Sequence, residues 1–283
     1  MMGCVIKAFL FLSPKSFNTH MACIPKISIL TASFNSAPAL AGMVSHIRGL
    51  DRTGLEWIVV DGGSTDETTE VIELNRDVIS VAISEPDRGI YDAWNKGVAL
   101  ATGEWILFLG TDDQVENAWL STVEQADSSC DLLYGDLAVV DALSGDTLQT
   151  RRMLPWDEEA QRLRRWMSLP HTGMAHHRRL FSERRFDPDF GIFGDWEFLL
   201  RSSPLRGQYF PGQIQARMAL GGVSNRPEKI VQAYREMRIV QRRYALHLPI
   251  AEWLRWNMKM VLARWPLLYA ILQRGYWRGQ LRG

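Results

Sequence analysis

The chain has 283 residues, of which 46% are hydrophobic and 23% are charged. This composition is typical of a globular protein with a large core, and it excludes disordered, collagen-like and fibrous proteins. Basic and acidic residues number 32 each, so the net charge is zero and no nucleic-acid partner is predicted. The charge is divided unevenly, because residues 1–150 carry 8 basic and 21 acidic residues, whereas residues 151–283 carry 24 and 11. We therefore expect the two halves to face different partners.

The first 22 residues precede the regular part of the chain. Their apolar run at residues 8–12 is too short for a secretory signal, so residues 1–22 are interpreted as a flexible leader or as a start assigned too early, with Met21 as the true start. No apolar stretch approaches the roughly 20 residues that cross a bilayer. The three cysteines are an odd number, and their spacing matches no disulfide framework, redox motif or metal site. We therefore expect reduced thiols and a cytoplasmic location.

From residue 26 onward, strand and helix patterns alternate. The runs KISILTASF, LEWIVVDGG, ISVAISE and EWILFLG predict four strands, and helical spacing follows each of the first three. Such alternation predicts an α/β fold with a mostly parallel sheet covered by helices on both faces.

The second half of the chain is less regular. AWLSTVEQA, EEAQRLRRW and GDWEFLLRSS predict helices, DLLYGDLAVVD predicts a strand, and residues 169–191 are expected to form a long structured loop. Residues 23–225 are predicted to form one domain, followed by a basic, Trp-rich helical tail over residues 226–283.

Acidic residues follow three of the four predicted strands. They lie in the segments DGGSTD (61–66), EPDRG (85–89) and GTDD (110–113). Ligands of an open parallel sheet bind beyond the carboxyl ends of its strands, and clustered carboxylates repel one another unless a cation or hydrogen-bond donors compensate. Mg²⁺ or Mn²⁺ with a nucleoside diphosphate would suit this edge. Alternatively, Asp61 only ends a strand in a turn and Asp66 only begins a helix.

Four motifs in order carry a resemblance to a known family. The segments ISILTASFN, EWIVVDGGSTDETTEVI, SEPDRGIYDAWNKGVALATG and EWILFLGTDD resemble the family 2 glycosyltransferases, a group that includes many bacterial polysaccharide-assembly enzymes. The resemblance covers about residues 26–225. It implies a GT-A fold, with a Rossmann-like, mostly parallel sheet, a nucleotide-sugar half over residues 23–115 and an acceptor half over residues 116–225.

The resemblance also implies an activity. It is the inverting transfer of a sugar from a nucleoside diphosphate sugar, with a UDP-sugar expected, to a glycan or lipid-linked glycan with the help of Mg²⁺ or Mn²⁺. The nucleotide-sugar residues implied in this way are Thr31, Asn35, Asp61, Asp66, Asp87, Arg88 and Asp112. Asp113 is implied as the main metal ligand, with Asp112 beside it.

Asp195 is implied as the catalytic base, because it matches a family carboxylate at the start of a helix. Glu197 is the second candidate, and the alternative is that Asp195 merely caps the helix. Gly194 stands where the family usually has Glu, and Thr111 stands where it has Asp. These two departures leave open a catalytically inactive sugar-nucleotide-binding or scaffold protein of the same fold. A phosphoacceptor receiver domain is less favoured, because the first strand ends without an acid pair.

Two further segments have weaker functional signals. His171, His176 and His177 lack a cysteine partner and are expected to be structural or to contact the acceptor rather than a metal. The segment LGGVSN, residues 220–225, resembles a region that closes over the diphosphate, with Ser224 and Asn225 as weak candidates.

The tail interleaves aromatic and basic residues with leucines. Residues 250–283 include four tryptophans and six arginine or lysine residues at positions 255, 259, 264, 274, 278 and 282. This pattern favours a helix that lies peripherally on the inner face of the cytoplasmic membrane. The alternative is a helical pair packed on the catalytic domain with a solvated basic face.

Overall fold

The computed structural model describes residues 9–12, 26–141, 144–219, 227–247 and 250–262. The strands are β1 (Phe9–Leu12), β2 (Ile27–Ser33), β3 (Leu55–Asp61), β4 (Val81–Ser84), β5 (Trp105–Leu109), β6 (Leu132–Val140), β7 (Thr147–Arg151), β8 (Ala175–His177) and β9 (Gly207–Ala219). The α-helices are α1 (Ala37–Arg48), α2 (Thr68–Leu74), α3 (Ile90–Leu100), α4 (Asn117–Gln125), α5 (Trp156–Leu163), α6 (Gly194–Ser202), α7 (Ile230–Arg243) and α8 (Ile250–Leu262). Short 3₁₀ helices span Arg178–Phe181 and Pro227–Lys229.

The strands form one sheet in the order β1-β4-β3-β2-β5-β8-β6-β7, and β9 pairs with β6. Strands β4, β3, β2 and β5 are parallel to one another, and β9 is parallel to β6. Because β8 is antiparallel to both β5 and β6, those two strands also run in the same direction. The carboxyl ends of β2 to β6 and of β9 therefore meet at one edge of the sheet, which we call the ligand edge. The predicted mostly parallel α/β sheet flanked by helices is confirmed.

The core lies on both faces of this sheet. Neighbouring residues of β3 point to opposite sides, so Ile58 and Val60 join one buried cluster, whereas Trp57 and Val59 join the other. Burial on both faces explains why the strands are continuous apolar runs rather than alternating patterns.

The structure differs from the sequence-based prediction at the amino terminus. Phe9–Leu12 of the expected leader form β1, which pairs antiparallel with β4 in the register Phe9 to Ser84. Without β1, the main-chain N–H and C=O groups on the outer edge of β4 would have no strand to pair with. The short apolar run at residues 8–12 supplies that strand. The rest of residues 1–25 lies outside the described part of the chain.

The irregular half contains strands that the sequence patterns did not indicate. β8 lies in the segment expected to be a loop, and β9 contains Pro211 and Gly212, which ordinarily argue against a long strand. Register shifts opposite Asp136 accommodate this part of β9.

The described part of the tail is helical, as α7 and α8. In the described ranges, we find no helix with the length and apolarity needed to cross a bilayer. Residues 220–226 and 263–283 lie outside the described residues, and with them the candidates Ser224 and Asn225.

Candidate active site

Asp61 ends β3 at the ligand edge and organises the loop that follows. Its carboxylate is fully buried and accepts hydrogen bonds from the amides of Gly63 (3.2 Å) and Ser64 (2.9 Å) and from the hydroxyls of Ser64 and Ser84 (2.7 Å). The Ser84 bond joins the end of β4 to the end of β3. Asp61 therefore fixes the shape of two neighbouring loops of the ligand edge.

Asn35 and Asp66 join the first loop of this edge to the second. Asn35 has a positive φ of 44°, and its side-chain oxygen accepts from the Thr65 amide at 2.9 Å. Asp66 accepts from the Ala37 amide at the start of α1 (3.3 Å) and from the Thr68 hydroxyl (2.5 Å). The Thr68 hydroxyl and the amide bonds lower the pKa of Asp66, so this carboxylate is ionised at neutral pH.

Asp87 lies in the third loop, directly against the second. A Cβ added at Gly62 would lie 2.6 Å from Asp87 Oδ2, so this close approach requires glycine. Burial raises the pKa of Asp87, and the neighbouring charges of Asp92 and Asp61 add to that effect. Arg88 exposes its guanidinium, which lies 3.7 Å from Asp92. The structure thus brings Asp61, Asp87 and their loops together at the ends of β3 and β4.

Asp112 and Asp113 follow β5, two strands away from β3. Since neighbouring strands lie about 4.8 Å apart, the ends of β3 and β5 are separated by about 10 Å along the ligand edge. Asp113 is buried and accepts from the Thr172 hydroxyl (2.6 Å) and from the Gly110 amide (3.1 Å). Burial raises its pKa to about 6, and the charge of Asp112 contributes to that rise.

The Asp112 and Asp113 carboxylates fit a divalent cation. A Cβ at Gly110 would lie 3.0 Å from Asp112 Oδ1 and 3.1 Å from Asp113 Oδ2, so both carboxylates converge on the same side of this glycine. Two neighbouring negative charges repel each other, and a cation bound between them would offset that repulsion. The described residues include no group of three His, Cys, Asp or Glu side chains that could hold a metal. Two carboxylates are nevertheless sufficient where substrate phosphates supply the remaining ligands of Mg²⁺.

Thr31 does not present its side chain to this edge. It is 1% exposed, accepts a hydrogen bond from Trp57 Nε1 at 3.0 Å and contacts Met43 Sδ at 3.5 Å. Its hydroxyl is directed into the core between β2 and α1, because Thr31 is in the middle of its strand and not at the end. The implied contact of the Thr31 side chain with the nucleoside is therefore corrected to a packing role.

Asp195 lies in the first turn of α6 and is connected to α3 by Tyr91. The buried Tyr91 hydroxyl donates to the carbonyl of Ile192 (2.7 Å) and reaches Asp195 Oδ1 at 3.2 Å. The Trp196 amide also donates to Oδ1, at 2.8 Å. Burial raises the pKa of Asp195 to about 6. Both of these hydrogen bonds are made to Oδ1.

Glu197, the second candidate for the base, is fully buried on another side of α6. Its carboxylate pairs with Arg201 (3.1 Å) and with Arg243 of α7 (3.0 Å), and it accepts from the Tyr244 hydroxyl (2.8 Å). Glu197 therefore joins α6 to α7 and is not placed to receive a proton from a substrate.

The three histidines do not converge as metal ligands. His171 and His176 are buried among Phe108, Phe186 and Trp94, and burial lowers the pKa of both, that of His176 to about 4. His177 faces away, 3.8 Å from Glu104. The His171 ring stacks on Trp94 and Phe108, and the His176 ring meets Phe108 edge-on, so these two neutral imidazoles have the contacts of core packing.

Sequence reasoning missed several residues that shape this site. Tyr91 and Thr172, which bond to Asp195 and Asp113, lie far from those residues in the chain, and no local pattern indicates such contacts. Phe34 leaves its ring 63% exposed beside Asn35 at the ligand edge. In the sequence, the signal that could have indicated Phe34 is an aromatic residue placed directly beside a polar loop.

Comparison with known proteins extends these observations. Residues 28–186 match the model of "Glycosyl transferase family 2". The chain is 29% identical over 252 residues to a "PGL/p-HBAD biosynthesis glycosyltransferase" of Mycobacterium bovis, covering 86% of this chain and 91% of the relative.

Two solved structures are similar to the fold. One is the mannosyltransferase PcManGT of Pyrobaculum calidifontis with GDP-Man and Mn²⁺, which has a TM-score of 0.55 and 18% identity and covers 91% of this chain and 88% of that chain. The other is glucosyl-3-phosphoglycerate synthase of Mycobacterium tuberculosis with Mn²⁺, UDP-glucose and phosphoglyceric acid, at a TM-score of 0.55 and 15% identity, covering 79% and 81%.

The family match spans more than half of the chain and includes β2 to β5 with all the acidic loops of the ligand edge. The chain belongs to glycosyltransferase family 2 and is a glycosyltransferase of the GT-A fold.

Proposed function

We propose that this enzyme transfers a sugar, with inversion at the anomeric carbon, from a UDP-sugar to a hydroxyl of a glycan or lipid-linked glycan. The observation that carries the proposal is the pairing of Asp195 with Tyr91. It places a carboxylate of raised pKa from the acceptor half next to the start of α3, directly after the loop that holds Asp87.

The nucleotide-sugar site is proposed at the ligand edge between the two groups of acids. The separation of about 10 Å between the ends of β3 and β5 suits a nucleoside at one end and a diphosphate at the other. In this proposal Asp87, Arg88 and the exposed ring of Phe34 contact the nucleoside, while Asn35, Asp61 and Asp66 hold the loops in shape. Fold neighbours with UDP-glucose and with GDP-Man, each with Mn²⁺, support a nucleoside diphosphate sugar as donor.

Asp113, with Asp112 beside it, is proposed to hold Mg²⁺ or Mn²⁺. A bound divalent cation supplies positive charge that stabilises the departing diphosphate. The Thr172 hydroxyl holds Asp113 Oδ2 in a fixed position, and Gly110 gives both carboxylates room to converge.

Asp195 is proposed as the general base. Its Oδ2 accepts the proton of the acceptor hydroxyl while the acceptor oxygen bonds to the anomeric carbon. The bond from that carbon to the diphosphate oxygen breaks, and the nucleoside diphosphate leaves with the electron pair. A pKa of about 6 keeps Asp195 ionised near neutral pH and still basic enough to accept a proton. Position 194 has Gly where the family usually has Glu. This replacement does not argue for an inactive protein, because the Tyr91 ring occupies the space that a side chain at position 194 would need.

The nucleotide is tested first by a thermal-shift screen of UDP, GDP, dTDP and CDP, each with and without Mn²⁺. A ligand that binds only the folded state raises the melting temperature. We expect UDP to give the largest shift and Mn²⁺ to increase it. Asp113→Ala should remove the Mn²⁺ contribution, whereas Asp146→Ala, at an exposed position of the β6–β7 turn, should retain it. A Mn²⁺ effect that persists in Asp113→Ala would contradict the assigned metal site.

The base is tested separately with Asp195→Asn. This variant should lower kcat by about 100-fold or more and retain the nucleotide-induced shift. The matched control Asp189→Asn changes an exposed carboxylate of the preceding loop and should keep its activity. Full activity of Asp195→Asn would refute the mechanism.

A further inference from the structure

Helix α8 has an apolar stripe that nothing in the described chain covers. Ile250, Leu254, Met258 and Val261 are 78%, 51%, 62% and 54% exposed. Their spacing of four, four and three residues places them on one face of the helix. Trp253, 46% exposed, flanks the stripe. Four large apolar side chains exposed in one row mark an interaction surface rather than scattered surface residues.

The opposite side of α8 is attached to the catalytic domain. Trp256 packs against the ring of Phe193 at 6.0 Å and against Tyr234 of α7 at 6.4 Å. Because Trp256 is on the far side of the helix from Leu254 and Met258, the contact that seats α8 also directs the apolar stripe outward.

The charge of this region is complementary to an anionic surface. Residues 226–283 contain twelve lysine and arginine residues and three glutamates. The sequence after α8 includes Trp265, Tyr269, Tyr276 and Trp277, and these residue types are enriched at the boundary between water and lipid. An apolar stripe in a strongly basic, Trp-rich region has the character of a helix that lies in the plane of a membrane interface.

We propose that the stripe of Ile250, Leu254, Met258 and Val261 on α8 inserts into the surface of an anionic phospholipid bilayer. Since Phe193, the partner of Trp256, is two residues before Asp195, the bilayer would lie about one helix diameter, roughly 10 Å, from the start of α6. The consequence, which rests on the proposed function of Asp195, is that the acceptor hydroxyl belongs to a glycan anchored in that bilayer.

The test is sedimentation of the full chain with phosphatidylcholine vesicles, with and without phosphatidylglycerol, at low and high salt. We expect binding to the anionic vesicles that weakens with salt. The variant Leu254→Glu/Met258→Glu should lower vesicle binding at least about 10-fold, because each side chain contributes more than 1 kcal/mol when it leaves water. Leu74→Glu is the matched control, since Leu74 of α2 is 74% exposed and lies outside the stripe.

Each result has a distinct meaning. Equal binding of wild type and Leu254→Glu/Met258→Glu, or no binding of wild type, would overturn the proposal. Self-association that the double variant abolishes, without vesicle binding, would assign the stripe to a second copy of the chain and also overturn it. Vesicle binding needs neither donor nor acceptor, whereas the UDP shift with Mn²⁺ reports the catalytic site. Failure of membrane docking is therefore distinguishable from failure of the proposed function.

Discussion

The ring of Tyr91 lies directly against the backbone of Gly194. A Cβ at position 194 would be 2.7 Å from Tyr91 Cε2, 2.8 Å from Cδ2 and 2.9 Å from Cζ. Gly194 thus leaves room for the ring whose hydroxyl contacts Asp195, the next residue in the chain. The start of α6 and the start of α3 approach each other this closely only because position 194 has no side chain.

Gly194→Ala is expected to displace the Tyr91 ring and with it the support of Asp195. Overpacking of this kind destabilises a protein by about 1–3 kcal/mol, and kcat should fall as well. Gly42→Ala is the control, because a Cβ at this α1 position meets no atom within 4 Å and alanine favours the helix. Urea unfolding and steady-state kinetics measure both effects. An unchanged kcat in folded Gly194→Ala would show that the ring does not position the base.

Tyr91→Phe tests the hydroxyl alone. We expect kcat to fall by about 10-fold, the effect of losing one buried hydrogen bond. The Tyr91 hydrogen bond lowers the pKa of Asp195, so its loss should raise that pKa further and move the acidic limb of the pH–rate profile upward. Tyr244→Phe removes a comparable phenol hydroxyl that bonds Glu197, and it should leave the profile in place. A profile that does not move in Tyr91→Phe would argue against Asp195 as the titrating base.

Metal affinity should depend on the titration of Asp113. Its pKa is raised to about 6 in the folded protein, chiefly by burial, so protons compete with the cation below that pH. The Mn²⁺-dependent increase in melting temperature should be large above pH 6 and should disappear well below it.

In the absence of metal, a rise in pH through the pKa of Asp113 should lower the stability of the folded protein instead of raising it. The pKa of Asp113 is higher in the folded state than in the unfolded state, so its ionisation disfavours folding as the pH rises from about 4 through 6. Asp113→Asn should therefore lose less stability over this range than wild type, as followed by urea unfolding at each pH. An equal pH dependence of both proteins would contradict this account.

Glu197→Gln should affect stability rather than chemistry. The variant removes the carboxylate that pairs with Arg201 and one of the two carboxylates, Glu197 and Asp187, that pair with Arg243. Losing the charge-assisted hydrogen bonds of this buried carboxylate should cost about 2 kcal/mol. We expect a lower urea midpoint and an unchanged pH–rate profile, with kcat per folded molecule close to that of wild type. A drop in kcat as large as that of Asp195→Asn would reinstate Glu197 as a candidate base.

The half of the sheet that contains β2 to β5 could be predicted closely from the sequence. Its strands are buried on both faces, so β2, β3 and β5 appear as continuous apolar runs. The run of β3 ends at Asp61, and the run of β5 ends just before Gly110. The ligand edge follows from this order, because parallel strands place all their carboxyl ends together.

The half that contains β6 to β9 was less predictable because its structure depends on contacts between distant segments. β9 forms despite Pro211 because it pairs with β6 along its length, and β8 forms between two strands that supply all its partners. Thr31 was assigned to the site by resemblance. Its direction into the core follows from the pairing with Trp57, which no local pattern reveals.

Strand β1 has a consequence for how the protein is prepared. A version that starts at Met21 would lack Phe9–Leu12 and would leave β4 as the outermost strand, with its main-chain N–H and C=O groups open on one side. Exposed strand edges recruit strands from other molecules. The choice of start codon in an expression vector would then decide between a well-behaved preparation and one that precipitates, although every catalytic candidate is present in both.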